Sequence, residues 1–296
     1  MTERPRVGFV GIGNMGRPMT ALLAQAGFPL ALFDLDARAA ERHARGIGAR
    51  AAESPRALAE ASDVVIAMLP NGEIVREALL GADGIARHLA PGALAIDSSS
   101  SYPVGTQALG RDLAALGIDF VDAPVSGGVK RAIAGTLAIM LGGEPHATTR
   151  AAAVLAPLGT VIETGILGSG HAVKALNNYV SAAGLAAAAE AVLVGRKFGL
   201  DGETVVRVLN ASTGRNNATE NKIAQFVLSG SFASGFALDL MAKDLRAAAR
   251  LAEDLGVAAP QLAHTVRLWS AAEAALGPGQ DHTAIYRYLE AADRED

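Results

Sequence analysis

A glycine-rich turn near the start of the chain limits the possible folds more than any other feature. The segment VGFVGIGNMGRPM places Gly11, Gly13 and Gly16 directly after a predicted strand and at the start of a predicted helix. In that context G-x-G-x-x-G is typical of a dinucleotide site. The first glycine permits the tight turn, the second lets a pyrophosphate approach the backbone, and the third lets helix and strand pack closely. The turn therefore predicts a Rossmann-type start to the chain.

Asp34 ends the second predicted strand, LALFD, near the distance from the turn that is expected of a ribose-binding acid. A carboxylate there accepts hydrogen bonds from the adenosine ribose hydroxyls and repels a 2′-phosphate, so we expect NAD as the cofactor. Asp36 is the better candidate for capping the helix that follows. Arg38 is close enough in sequence to leave NADP use open.

Short apolar runs alternate with helical stretches through the first half of the chain. Strands are predicted at 6–10, 30–33, 64–69, 93–97, 118–125 and 137–143. This alternation is typical of an α/β domain with a doubly wound, mostly parallel sheet. After about residue 165 we predict only helices, at 170–198, 201–211, 217–229, 237–255, 259–276 and 281–291. The predicted domains are an NAD-binding Rossmann domain over 1–166 and an all-α C-terminal domain over 167–296, for the substrate cleft and oligomerisation. A long interdomain helix joins them.

Composition and charge exclude several classes of function. The 296 residues include no cysteine, which excludes disulfides, zinc–thiolate sites, iron–sulfur clusters and cysteine nucleophiles. A net charge of −4 argues against a general nucleic-acid binder. The N-terminus has no long uncharged apolar run, and Glu190 interrupts the Ala-rich run at 182–195, so we expect neither a secretory signal nor a membrane span. A soluble, cytoplasmic protein is the expectation.

Lys174 is the only formally charged residue between Glu163 and Glu190. A solvated surface helix would normally carry several charges. Low-charge surroundings lower the pKa of a lysine, which suits proton exchange near neutral pH. Asn178, four residues on, shares the helix face of Lys174. The alternative is a surface lysine whose stem lies along an Ala-rich helix.

Six sequence blocks follow one another along the chain. They are GFVGIGNMGRPM, AMLP (67–70), DSSSSYP (97–103), DAPVSGGVKRAIAGTLAIMLGG (122–143), GSGHAVKALNN (168–178) and KDL (243–245). Together they resemble the β-hydroxyacid dehydrogenase family, which includes 3-hydroxyisobutyrate dehydrogenase, with Ser100 at the position of a family threonine. The resemblance spans nearly the whole chain. It implies an NAD-dependent dehydrogenase of a small, 3-hydroxyisobutyrate-like hydroxyacid.

The resemblance also implies a role for each matching residue. Lys174 is the general base or acid that exchanges the hydroxyl proton while a hydride moves to NAD, and Asn178 orients the hydroxyl or the lysine. The implied substrate-binding residues are Ser126, Gly127, Gly128, Ser100, Phe236 and Asp244. The implied cofactor-binding residues are Gly11, Gly13, Asn14, Met15, Gly16, Asp34, Leu69, Pro70, Ser100 and Lys243. No metal is implied.

The sequence leaves the substrate and the exact activity open. Lys130 and Arg131, just after the SGG segment, depart from the small or acidic residues of many family members; they are surface charges or favour a substrate with a second anionic group. The activity is alternatively that of an NAD(P)H-dependent reductase of an aldehyde-acid, such as succinic semialdehyde or glyoxylate, or of an imine. A 6-phosphogluconate-dehydrogenase-like enzyme and a non-catalytic NAD-binding protein stay open as well. The Ala and Gly residues of the long helix allow close helix packing, so we expect a homodimer or homotetramer.

Overall fold

The computed structural model describes residues 4–295. The first half contains β1 (Val7–Val10), α1 (Gly16–Gln25), β2 (Leu30–Phe33), α2 (Ala37–Ile47), β3 (Arg50–Ala51), α3 (Pro55–Glu60), β4 (Val64–Ala67), α4 (Gly72–Leu80), β5 (Leu94–Asp97), α5 (Pro103–Ala114), β6 (Asp119–Asp122), β7 (Val125–Ser126), α6 (Gly128–Ala134), β8 (Leu137–Gly142), α7 (Pro145–Leu155) and β9 (Gly159–Gly165). The second half contains α8 (Ser169–Lys197), α9 (Gly202–Ala211), α10 (Asn217–Asn221), α11 (Leu238–Asp254), α12 (Pro260–Leu276) and α13 (Ile285–Glu295). Short 3₁₀ turns lie at Ile85–His88, Ala156–Leu158 and His282–Ala284, and a π-helical segment at Ile223–Leu228.

The nine strands form one sheet, in the order β3-β2-β1-β4-β5-β6-β8-β7, with β9 also paired to β8. From β3 to β6 every pair is parallel. β6 and β7 lie end to end along one edge of β8, antiparallel to it, and β9 runs parallel along the other edge. The predicted doubly wound, mostly parallel sheet is confirmed. The strand order reverses between β1 and β4, which is where open α/β sheets bind their ligands.

The structure differs from the predicted elements at several places, among them the two-residue strand β3, which was not predicted. The run predicted as one strand at 118–125 is two strands, because Pro124, in the break between them, has no N–H to give to a ladder. β9 was not predicted: it is an edge strand with mostly exposed or half-buried residues, so its sequence, GTVIETG, is not an apolar run. The helix predicted at 217–229 is α10 followed by the π-helical segment.

Backbone contacts divide the chain into two compact units, Met1–Lys174 and Ala175–Asp296. In the first unit the sheet has an apolar cluster on each face, because alternate residues of a strand point to opposite sides. Phe9 and Ile66 belong to one cluster, Val10 and Val65 to the other. The second unit has its own helical core, which includes the fully buried Trp269.

The boundary between the units lies inside α8, after Lys174, whereas the sequence placed it at 166/167. The first turn of α8 belongs to the first unit because it packs closely on the sheet. A Cβ at Gly170 would collide with the carbonyl oxygen of Met140 in β8. Glycine at this position therefore lets the helix start against the strand.

Candidate active site

The glycine-rich turn between β1 and α1 has the geometry that its sequence predicts. Gly11 has a φ of 96°, and a Cβ there would collide with the Met68 carbonyl oxygen. A Cβ at Gly16 would collide with the Gly11 carbonyl oxygen. Packing therefore demands glycine at both positions.

Gly13 is different, because no atom lies within 4 Å of a Cβ built there. The protein's own packing does not require glycine at this position, and the space above it is open. α1 begins with no side-chain cap at Met15, so the first N–H groups of the helix are not satisfied by a capping side chain. Open space in front of uncapped N–H groups fits the pyrophosphate of a dinucleotide.

Asp34 lies half-buried after β2 and holds the glycine turn in place. Its Oδ2 accepts a hydrogen bond from the Ile12 N–H at 2.7 Å, and its Oδ1 accepts one from the Asp36 N–H at 2.9 Å. Asp36 caps α2 by accepting from the Ala39 N–H, as predicted. Because Asp34 is not the cap, its remaining lone pairs are available to ribose hydroxyls.

The loops after β4 and β5 are joined by a hydrogen bond. The Leu69 N–H donates to Ser99 Oγ at 2.9 Å. The buried Asp97 carboxylate accepts from the Ser99 N–H at 2.9 Å and from Ser101 Oγ at 2.6 Å. This folding leaves Ser100 half-buried between two fixed residues. The exposed Pro70 follows Leu69 in the neighbouring loop.

The SGG segment forms a turn between β7 and α6. Ser126 pairs with Ala138 of β8 and is half-buried. Gly127 and Gly128 are exposed and have φ angles of 132° and 65°, a region that favours glycine. The two glycines therefore make the turn possible and place no side chain of their own beside its amide groups.

Lys174 and Asn178 lie one turn apart on α8. Lys174 is 8% exposed and Asn178 is 6% exposed, so Lys174 is not the surface lysine of the alternative interpretation. In the second unit, Asn178 Nδ2 donates to Asp244 Oδ2 at 2.6 Å, and Lys243 Nζ lies 3.6 Å from Asp244 Oδ1. The structure therefore brings Asn178, Lys243 and Asp244 together. Asn177 is exposed and donates to Asn178 Oδ1 at 3.1 Å.

His171 is a buried residue that the sequence analysis missed. Its Nε2 lies 3.1 Å from the Ser99 carbonyl oxygen, which only accepts, so Nε2 carries the hydrogen. Its Nδ1 lies 2.8 Å from Thr106 Oγ1, within hydrogen-bond distance. Because His171 is one turn before Lys174, this ring ties the start of α8 to the loop that carries Ser100.

Asp122 at the end of β6 holds the same helix start. Its carboxylate accepts hydrogen bonds from the Gly168 and His171 N–H groups, both at 2.7 Å. Burial raises the pKa of Asp122. The sequence offered one signal for Asp122, namely an aspartate at the end of an apolar run. It did not reveal the role of this aspartate, because the Gly168 N–H that it caps lies 46 residues away in the sequence.

Phe236, a predicted substrate-binding residue, is held by the buried His282, whose contact with the half-buried Lys222 the sequence also did not reveal. Its carbonyl oxygen accepts from the His282 N–H at 2.9 Å and from His282 Nδ1 at 3.0 Å. His282 Nε2 in turn lies 2.9 Å from Lys222 Nζ. Burial lowers the pKa of Lys222, and burial together with the Lys222 charge lowers the pKa of His282 to about 4.

A Rossmann unit with an open dinucleotide turn defines the class of an NAD(P)-dependent oxidoreductase. Residues 6–190 match the family model for the NAD-binding domain of 6-phosphogluconate dehydrogenase. Residues 168–289 match the model described as NAD-binding of NADP-dependent 3-hydroxyisobutyrate dehydrogenase. The chain belongs to the β-hydroxyacid dehydrogenase family, as its sequence blocks predict.

Individual relatives agree with this assignment along the whole chain. The chain is 37% identical to 2-(hydroxymethyl)glutarate dehydrogenase of Eubacterium barkeri, over 98% of this chain and 96% of that protein. It is 36% identical to 3-sulfolactaldehyde reductase of Escherichia coli K12, over 94% of each. A structure of 3-hydroxyisobutyrate dehydrogenase from Mycobacterium tuberculosis with L-serine superposes with a TM-score of 0.89 at 33% identity, covering 97% of this chain and 99% of that one. The chain is thus a hydroxyacid dehydrogenase that binds NAD(P).

Proposed function

We propose that this enzyme oxidises the hydroxyl group of a small 3-hydroxyacid and prefers NAD, with Lys174 as the residue that moves the proton. One observation carries the proposal: a buried lysine lies one helical turn from Asn178, whose side-chain amide is fixed by Asp244. An amine held at a fixed place beside a substrate hydroxyl can exchange a proton with it, which suits a general base.

The chain's own residues account for binding, orientation and proton transfer. Ser126 and the amides of Gly127 and Gly128 bind the substrate carboxylate. Nζ of Lys174, as a neutral amine, accepts the hydroxyl proton, and the ammonium form returns it in the reverse direction. Asn178 orients the hydroxyl or the lysine. When bound, the nicotinamide supplies the hydride acceptor, and Leu69, Pro70, Ser100 and Lys243 are the residues that hold that half of the cofactor.

The preference for NAD rests on Asp34. Its carboxylate is fixed by two backbone N–H groups, so a 2′-phosphate at the ribose would meet a negative charge that cannot easily turn away. A related structure with NADP⁺, at 28% identity and a TM-score of 0.84, belongs to a protein that binds the phosphorylated cofactor.

Two substrate types follow from the relatives. Two relatives are named as dehydrogenases of a hydroxyacid, which favours oxidation of such a substrate. The 3-sulfolactaldehyde reductase instead favours a second candidate function, the reduction of a small aldehyde-acid. Both reactions use the same proton exchange at Lys174, in opposite directions. A non-catalytic NAD-binding protein would have no need of a buried lysine beside a fixed asparagine.

A substrate screen tests the proposed function. NAD⁺ reduction is measured with 3-hydroxyisobutyrate, L-serine, 3-hydroxypropionate and 2-(hydroxymethyl)glutarate, and NADH oxidation with succinic semialdehyde and glyoxylate. Turnover of at least one compound, lost in Lys174→Met, supports the proposal. Binding of NAD without turnover of any compound would favour the non-catalytic alternative.

We also propose that the enzyme is a homodimer or homotetramer in the cytoplasm, joined through α8. Leu176, Val180, Ala187 and Val194 are exposed and, at 100° per residue, fall within about 40° of one another on the helix. Lys174 and Asn178 lie on the opposite side. By length and composition alone α8 is also apolar enough to cross a membrane. A second copy of the chain covers this stripe better than a lipid bilayer would. A bilayer would surround the whole helix, including the side with the polar groups of Lys174 and Asn178, whereas a second copy covers the apolar stripe alone.

Light scattering after size-exclusion chromatography tests the oligomer. A dimer or larger assembly of the wild type that dissociates in Val180→Glu supports the interface. A monomeric wild type, or recovery only with detergent, would contradict it.

A further inference from the structure

The charged residues Lys130 and Arg131 stand directly after the predicted carboxylate-binding turn, and the fold gives Arg131 a defined place. A Cβ built on Gly127 would lie 2.5 Å from Arg131 Cδ, 2.7 Å from its Cβ and 3.0 Å from its Cγ. The aliphatic stem of Arg131 therefore covers Gly127. This is the direction that helical side chains take, back over the turn that precedes them.

The position of the stem limits where the charged head can lie. Because bonds between side-chain atoms are about 1.5 Å long, the guanidinium carbon, two bonds beyond Cδ, lies within about 7 Å of the Gly127 Cα. A small acid seated on the amides of Gly127 and Gly128 would have its remaining atoms at comparable distances from that Cα. The guanidinium is thus within reach of the substrate but beyond its anchored carboxylate.

The guanidinium of Arg131 is also available. Among residues 4–295, neither its side chain nor that of Lys130 has a hydrogen-bond or ion-pair partner, whereas Arg6, Arg76 and Arg150 each pair with an aspartate. Arg131 is exposed, so its charged group is solvated by water until a ligand binds. A planar guanidinium suits a carboxylate, which it binds through two parallel N–H donors.

The anchored carboxylate does not need this charge. Ser126 and two backbone amides already offer three donors to it. A cation added next to such a turn favours substrates with a second negative charge over those with one.

We propose that Arg131 is a specificity-determining residue, an inference that rests on the proposed function. The preferred substrate is a 3-hydroxyacid with a second carboxylate on its carbon skeleton. Arg131 binds that second carboxylate while the SGG turn binds the first. Lys130, its neighbour in α6, has no part in binding the second carboxylate, so it serves as the matched control.

The test compares one dianionic and one monoanionic substrate. The ratio of kcat/KM for 2-(hydroxymethyl)glutarate to that for 3-hydroxyisobutyrate is measured for the wild type, Arg131→Gln and Lys130→Gln. We expect Arg131→Gln to lower this ratio about tenfold or more, through KM for the dicarboxylate, and Lys130→Gln to change it less than about threefold. High salt should reproduce part of this loss in the wild type.

An equal loss with both substrates would place the guanidinium on the shared carboxylate and overturn the inference. An unchanged ratio, or the same fall in Lys130→Gln, would overturn it as well. If the wild type oxidises neither compound, the proposed function fails separately, and calorimetry with glutarate and butyrate on the NAD-loaded enzyme decides the subsite. Tighter binding of glutarate that is lost in Arg131→Gln supports it, and equal or absent binding refutes it.

Discussion

The side-chain amide of Asn178 donates a hydrogen bond of 2.6 Å to the carboxylate of Asp244, and both residues are buried. A carboxylate can only accept, so this bond fixes which end of the asparagine side chain carries the NH₂ group. Asn178 Oδ1 then points the other way, where Asn177 donates to it. The orientation of a proposed active-site amide is thus set by a partner 66 residues away.

Removing this amide should reduce catalysis more than it reduces folding. We expect Asn178→Ala to lower kcat/KM roughly 10- to 100-fold, the range for one lost hydrogen bond to a charged or oriented partner. Asn221→Ala, at an exposed asparagine of α10, is the control and should stay within about twofold. Steady-state kinetics beside thermal melting checks this; equal effects of the two variants would remove Asn178 from the site.

Gly13 tests whether the glycine turn holds the dinucleotide. Because a Cβ at Gly13 meets nothing within 4 Å, Gly13→Ala should leave the melting temperature nearly unchanged. It should nevertheless weaken NAD binding about tenfold, since the added methyl group enters the space assigned to the pyrophosphate. Gly46→Ala is the matched control, because its Cβ also meets nothing and it lies in α2. Calorimetric titration with NAD should separate the two, and unaltered affinity in Gly13→Ala would argue against a dinucleotide at this turn.

Asp34 should control the choice between the two nicotinamide cofactors. Asp34→Ala removes the charge that opposes a 2′-phosphate, so the ratio of kcat/KM for NAD to that for NADP should fall about tenfold or more. The variant also loses the bonds to Ile12 and Asp36, and some stability with them. Asp36→Ala loses only a helix cap, about 1 kcal/mol, and should keep the wild-type ratio. A wild type that already prefers NADP would contradict the role given to Asp34.

The contact between the buried His282 and the half-buried Lys222 predicts how the free energy of unfolding depends on pH. The pKa of His282 is about 4 in the folded chain, below the ordinary value of 6.5, so the unfolded chain takes up the proton first as pH falls. The stability due to the neutral imidazole is fully present above about pH 6.5 and is lost between pH 6.5 and 4. The difference of pKa corresponds to about 3 kcal/mol.

Urea unfolding at about pH 7 and about pH 4.5 measures this loss of stability, because most of it falls between those two pH values. His282→Gln should show a smaller decrease than the wild type, because glutamine takes up no proton. His264→Gln, an exposed histidine of α12, should behave like the wild type. Identical decreases in the wild type and in His282→Gln would contradict the assignment.

The sequence predicted those parts of the fold and site that depend on local patterns. β1, β2 and α1 follow from short apolar runs, glycine spacing and helix periodicity, and Asp36 from its position before α2. The features that the sequence did not predict depend on contacts between distant parts of the chain. His171 has no periodic or motif signal, and its partners Thr106 and Ser99 lie 65 and 72 residues away. β9 is an edge strand whose polar side chains hide its strand character.

The boundary of the first unit was also beyond local reasoning. A helix signal begins near residue 170, so the sequence suggested that the second domain begins there as well. The first turn of α8 instead packs on β8 and is capped by Asp122, which no helical pattern reveals.

The central claim is that Lys174 moves the proton, and turnover by Lys174→Met tests it most directly. Lys197→Met, at the exposed end of the same helix, is the matched control. With the best substrate of the screen, we expect Lys174→Met to lose at least about a thousandfold in kcat while its Kd for NAD stays within about threefold, and Lys197→Met to keep both. A Lys174→Met enzyme with near wild-type kcat would contradict the account.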